Sequence, residues 1–161
     1  MAKKNKQSPF KNHIDIRNKK ARFDYDILEK YEAGIQLTGT EIKAIRMGKA
    51  SIAESYCEFN DRGELFVTNM YIKEYDYGTH YNHNPKRQRK LLLHKKQLRK
   101  LRQMAATKGI TIIPLRLYIN KKGLAKMEIA VARGRKKYDK RQVLRERDIA
   151  RELDRERKKY I

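Results

Sequence analysis

One cysteine, Cys57, is all that 161 residues provide, so no disulfide framework holds this chain and a reducing compartment suits it. Long apolar runs are missing too. No stretch approaches the ~18 apolar residues of a spanning helix, and the opening MAKKNKQSPFKNH lacks the apolar centre of a secretory signal. A cytoplasmic protein without a membrane partner is the expectation. Phosphate-cradling G-x-x-x-x-G-K-S/T loops are absent, and His80 with His83 have no second pair of Cys or His to complete four metal ligands. Both are expected as surface histidines. Cys57 has no neighbouring base in SYCEF, which makes it a buried structural thiol rather than a nucleophile. Glu32, Glu41 and Glu54 are scattered among cations, where pairing outranks acid–base work. No enzyme, cofactor or metal is expected.

Acids are the other scarcity. Nineteen Asp and Glu face 41 Lys and Arg, a formal charge of +22, and between residues 77 and 127 no acid occurs at all. Residues 1–22 hold eight Lys and Arg against one acid, and residues 134–161 twelve against six. Positive charge on this scale neutralises phosphates and releases counterions, so a polyanion is the leading partner. No helix-turn-helix, finger or basic zipper is present, which favours folded or single-stranded RNA over duplex DNA.

Three regions follow from the patterning. Residues 1–17 read as a flexible basic arm, 18–133 as one barrel domain, and 134–161 as a basic tail. Within the domain, Phe23 to Leu37 reads as two strand segments meeting at a bend at Gly34. TGTEIKAIRMGKA reads as a helix capped by Thr40 and stopped at Gly48, with Lys43 facing out. Strands near 56–59 and 65–68 flank the turn NDRG. HKKQLRKLRQMAATKG is a helix with Leu98, Leu101 and Met104 inward. A second hairpin places Ile113, Leu115, Leu117 and Ile119 on one face, opposite Ala125, Met127, Ile129 and Val131, with Pro114 at an edge or bulge. The tail has too few aliphatics to order itself, yet favours helix, so it is expected loose when free and helical against a partner. Together these features suit a mainly β fold: a small closed β-barrel of the oligonucleotide-binding type, about six strands with packed short helices.

The stretch NPKRQRKLLLHKKQLRKL is the most telling. Arg87, Arg89 and Lys90 adjoin three leucines, and a core strand is not expected to tolerate those cations so close. Strand alternation sends Leu91 and Leu93 inward and Leu92 outward, leaving the cations for phosphates. A solvated helix flank is the bland reading, and the missing acids weaken it.

Taken together, NKKARFDYDILEKYEAGIQLTGTEIKAIRMGKASI, PKRQRKLLLHKKQL and AVARGRKKYDKR resemble the small protein B family, in family order from about Asn18 to Arg141. The resemblance implies a six-stranded barrel and a monomer in a one-to-one complex with the transfer-RNA-like domain of transfer-messenger RNA. It further implies entry into a stalled 70S ribosome, whose decoding centre and vacant messenger channel the tail probes. It carries RNA binding to Glu32 in EAG and to Leu92 and His94 in KLLLH. Asn18, Lys20, Arg22, Lys43, Arg87, Arg89 and Lys90 join them as expected RNA contacts. The tail motif falls on Gly134, Arg135, Lys136, Lys137, Tyr138, Asp139, Lys140 and Arg141. A constitutive ribosomal-RNA-binding or ribosome-assembly protein is the alternative.

Overall fold

The computed structural model describes residues 13–78, 80–135 and 137–159, with backbone alone for 137–140 and 159. The expected arm over residues 1–12, Lys136, and the side chains of Lys137, Tyr138, Asp139 and Lys140 lie outside the described residues.

In chain order the elements are β1 (Asp15–Arg17), α1 (Ala21–Asp24), β2 (Tyr25–Ile35), α2 (Gly39–Arg46), β3 (Ala50–Ser51), β4 (Tyr56–Phe59), β5 (Leu65–Thr68) and β6 (Tyr71–Ile72). They continue as β7 (Arg89–Leu92), α3 (Lys95–Ala105), β8 (Ile110–Ile119), β9 (Ala125–Gly134) and α4 (Lys137–Lys159). Pairing runs β8, β4, β5, β7, β2, β9 and returns to β8, every contact antiparallel. That circuit is a closed barrel of six strands, which leaves few free edges. β8 closes it by dividing one side between two partners: Ile112 faces Cys57 of β4, and Leu117 faces Ile16 of β1. β3 and β6 form a separate short ladder.

Inside the barrel, Leu65, Val67, Leu91, Ile112, Leu117, Met127, Ile129 and Val131 are buried, and α2 and α3 add Ile45 and Leu101. Each such side chain contributes roughly 1.5–3 kcal/mol by leaving water. Cys57 is buried among them, and burial pushes its thiol up, as expected of a structural residue.

Four expectations are corrected here. The arm ends earlier than residue 17, because Ile14 is buried and Asp15–Arg17 pairs with β8. β2 runs unbroken past Gly34; its irregularity is a bulge between Ile27 and Glu29. Thr38, not Thr40, caps α2, accepting the Glu41 N–H while Glu41 Oε1 accepts the Thr38 N–H. Finally, Ile113 and Leu115 do not share a face with Leu117 and Ile119. The bulge between Pro114 and Arg116 shifts the alternation, so Ile113 and Leu115 join Ala21, Ala130 and Ala132 in a small outer cluster under α1. Pro114 itself sits at a bulge, as expected.

At the far end, β9 continues through Gly134, which pairs with Tyr25, and the Arg135 N–H donates to the Asp24 carbonyl. The barrel therefore passes the expected boundary at residue 133. α4 is helical, and from Arg141 to Lys158 its side chains are exposed except half-buried Val143.

Candidate nucleic-acid interface

Alternation along β7 produces the division expected of the three leucines. Leu91 is buried, Leu93 packs against the core, and Leu92 is 46% exposed. Immediately after them, His94 occupies the N-cap of α3, exposed, with its N–H donating to Gln97 Oε1 at 3.2 Å. α3 buries Leu101 and presents Lys95, Lys96, Arg99, Lys100 and Arg102 to solvent. Between the helix, β7 and the β4–β5 turn lies a groove of about 480 Å³, lined by Leu92, Leu98, Lys90, Arg62, Arg99 and Arg102 among others. Its floor is aliphatic and its rim cationic. Glu64 is the acid lining it, and it is paired with Lys90 at 2.6 Å. Arg62 belongs to this rim although nothing in the residue pattern singled it out; only the packing of the turn against α3 brings it there.

The outer face of the barrel continues the site across neighbouring strands in two registered rows. Arg17, Arg116, Glu128 and Glu32 face one another in turn across β1, β8, β9 and β2. Asp15, Tyr118, Lys126, Gly34 and Leu92 form the second row, which extends onto β7. Glu32 is exposed, two residues from Gly34 on the same face. Within the second row Gly34 lets β2 and β7 approach closely, since a Cβ added there would stand 3.3 Å from Leu92 Cβ. Burial first, and then the Glu32 carboxylate, push the Tyr118 phenol up to about 12.

Arg89 is a correction. Its side chain is wholly buried, with Nε donating to Glu41 Oε2, Nη1 to the Met70 carbonyl at 2.7 Å, and Nη2 to the Asn84 and Pro85 carbonyls. A guanidinium consumed inside the protein offers nothing to a phosphate. Arg87 shares Glu41 at 2.6 Å and keeps 39% of its side chain exposed. Burial raises the Glu41 pKa, but the hydrogen bonds from Arg87, the Thr38 N–H and Arg89 outweigh it, and the carboxyl lies below its ordinary value. The expected pairing role of Glu41 is what the structure has.

The remaining candidates fall at other places. Asn18 is half-buried, with Nδ2 donating to the Pro114 carbonyl at 3.1 Å. Lys20 and Arg22 are exposed at α1. Lys43 is exposed on α2 with Nζ 5.5 Å from the Tyr75 ring centre. Arg135 holds Asp26 at 2.8 Å beside the last pair of β9. His83 is a further correction: it is buried, bridging Thr40 Oγ1 and the Ile72 carbonyl at 2.9 Å each, whereas His80 is exposed as expected. Among the described residues no helix is long and apolar enough to cross a membrane.

A family model described as SmpB protein matches residues 15–159. The SsrA-binding protein of Christiangramia forsetii is 59% identical over 150 residues, covering 93% of this chain and 95% of that protein. The SsrA-binding protein of Parabacteroides distasonis is 58% identical over 144 residues, covering 89% and 94%. A solved structure described as "tmRNA-SmpB: a journey to the center of the bacterial ribosome" aligns with a TM-score of 0.64 at 48% identity, over 76% of this chain and 85% of that one.

Proposed function

This chain belongs to the SmpB protein family, and on that premise we propose that it is an adaptor for transfer-messenger RNA in ribosome rescue. The observation that carries the reading is the match to the SmpB family model from residue 15 to 159, barrel and α4 alike, together with the 59% identity to an SsrA-binding protein. The barrel binds the transfer-RNA-like domain of transfer-messenger RNA as a monomer. The complex enters a stalled 70S ribosome in the cytoplasm, where translation switches template. The protein makes and breaks no covalent bond in doing so.

Three chemical parts supply the binding. Leu92 offers an aliphatic surface to a base or ribose, which removes apolar area from water on both partners. Glu32 and His94 supply polar selectivity; a carboxylate accepts from a base edge or 2′-hydroxyl, where a phosphate repels it. Lys43, Arg87, Lys90 and the cations of α3 hold phosphates, with Asn18, Lys20 and Arg22 at the α1 end.

α4 and the stretch from Gly134 to Arg141, which spans its start, serve the ribosome. A helix of 23 residues extends about 35 Å, long enough to follow a vacant channel. Its exposed Leu144, Ile149 and Leu153 bury little against this chain, so the helix is marginal alone and gains its stability on docking.

The test compares the transfer-RNA-like domain with a generic RNA duplex across a salt series. Electrostatic binding falls by a log–log slope of ~0.7–0.9 per neutralised phosphate. A residual preference for the tRNA-like domain at high salt is expected; equal affinities that collapse together would overturn the adaptor reading. Transfer-messenger RNA is also the RNA expected to copurify from cells, and ribosomal RNA alone would instead indicate a constitutive ribosomal protein.

A further inference from the structure

The segment from β6 into the connector before β7 gathers aromatic rings at the surface. Four of the ten tyrosines lie between residues 71 and 81, and His80 adds a fifth ring. Tyr71 is 41% exposed, Tyr77 72% and Tyr81 92%, so these rings contribute little to the core. Tyr71, Tyr75 and His80 line one surface hollow of about 700 Å³, together with Lys73, Asn82 and Pro85 among others. Tyr77 stands edge-on to Tyr75, with ring centres 5.5 Å apart. The hollow shares no lining residue with the groove beside α3.

Backbone hydrogen bonds hold these rings in place. The Tyr75 N–H donates to Asn82 Oδ1 at 3.2 Å and Asn82 Nδ2 donates to the Tyr75 carbonyl at 2.9 Å, which ties the two sides of the connector together. Gly78 permits that closure, because a Cβ there would stand 2.5 Å from Asn82 Nδ2. At the base, the Ile72 N–H donates to the Pro85 carbonyl at 2.9 Å. Lysines border the rings. Lys49 and Lys73 hold Asp76 at 2.8 and 3.6 Å, and Lys43 Nζ lies 5.5 Å from the Tyr75 ring centre. With exposed Lys86 beside Pro85, four lysines stand against two acids, Asp76 and Glu74.

We propose that this connector is a second RNA contact, a stacking platform for unpaired nucleotides. An unpaired base offers a flat π face and its backbone a phosphate, which together match exposed rings bordered by lysines. A duplex keeps its base faces inside its own stack, and an acidic peptide has the charge without the faces. Pinned rings lose little freedom on binding, so more of the contact energy appears as affinity. The platform requires no transfer-RNA-like fold in its ligand. It adds an unpaired strand to what the face around Leu92 holds.

The test measures the affinity of the full chain for a ~12-nucleotide unpaired RNA and for an abasic strand of the same length and charge. Both are measured with the protein free and again with the transfer-RNA-like domain bound. Wild type is expected to prefer the base-bearing strand about tenfold, the scale of stacking on an aromatic side chain. The double variant Tyr77→Ala, Tyr81→Ala is expected to lose most of that preference. Its affinities for the abasic strand and the transfer-RNA-like domain, and its melting temperature, are expected to stay unchanged, since both side chains lie outside the core. Tyr77→Phe with Tyr81→Phe keeps both rings and is expected to keep the preference. Equal wild-type affinities for the two strands overturn the proposal and leave the rings to a protein partner. A base preference undiminished in the alanine variant overturns it too, as does displacement of the unpaired strand by the transfer-RNA-like domain. Failure of the adaptor reading looks different: selectivity for that domain over a duplex disappears, while the ring-dependent base preference of the free protein persists.

Discussion

Arg89 is a cation at 0% exposure, where charge persists only when its nitrogens find acceptors. It survives because Glu41, also fully buried, accepts from Nε and three backbone carbonyls accept from Nη1 and Nη2. Removing the carboxylate strands that charge. Glu41→Gln is expected to cost about 3–5 kcal/mol, measured as a lower urea midpoint with unchanged slope. The pH dependence has a fixed sign. The folded-state Glu41 pKa lies below its ordinary 4.5, so its stabilisation is complete above that range and disappears as pH falls through the folded value. Acid unfolding below about pH 4.5 is therefore expected to be shallower in Glu41→Gln than in wild type. Gly34 makes a contrasting case. Gly34→Ala places a methyl 3.3 Å from Leu92 Cβ, so it is expected to displace Leu92 and weaken RNA binding more than it lowers the melting temperature. An unchanged affinity would remove Leu92 from the contact surface.

Strands and helices were legible where period and turn chemistry agreed. The β4–β5 hairpin needs positive φ at the last turn position, and Gly63 supplies +77°; Gly123 does the same, at +79°, between β8 and β9. α3 was legible because its apolar stripe and cationic face are cleanly separated. Bulges were not. Nothing in ITIIPLRLYI states on which residue the alternation slips, although Pro114 warned that it would. The cap of α2 lies two residues before the expected Thr40: Thr38 and Thr40 both qualify locally, and only Thr38 stands three residues before Glu41. Thr38→Ala is expected to cost about 1 kcal/mol, seen in thermal melts. For α4 the expected outcome is functional. A chain ending at Lys136 keeps the barrel complete through Arg135 and binds the transfer-RNA-like domain with wild-type affinity, yet fails to release stalled ribosomes in a reconstituted translation assay.

Closure of the barrel converts scattered segments into one surface. Residues from β1, β8, β9, β2 and β7, far apart in the chain, form two rows outside the same wall, and α3 adds a cationic rim beside them. Under the proposed function such a surface binds through many phosphates and discriminates through few polar groups. Replacing Arg62, Arg99 and Arg102 together by Gln is expected to lower affinity for specific and generic RNA alike and to reduce the salt slope by about two to three phosphates. A slope unchanged in a salt titration would place the phosphates elsewhere.

Composition alone determined that this chain holds a polyanion. Forty-one cations, with no acid from residue 77 to 127, need no fold to attract phosphate, because Coulomb attraction is long-ranged and sums over charges wherever they lie. Local alternation determined that Leu92 points away from Leu91. Three-dimensional packing decided the rest. It sent Arg89 inward and left Lys90 half-exposed, buried His83 and carried Arg62 to the groove. Those outcomes depend on which strands become neighbours, in what register, and short-ranged contacts of that kind are created only when the barrel closes.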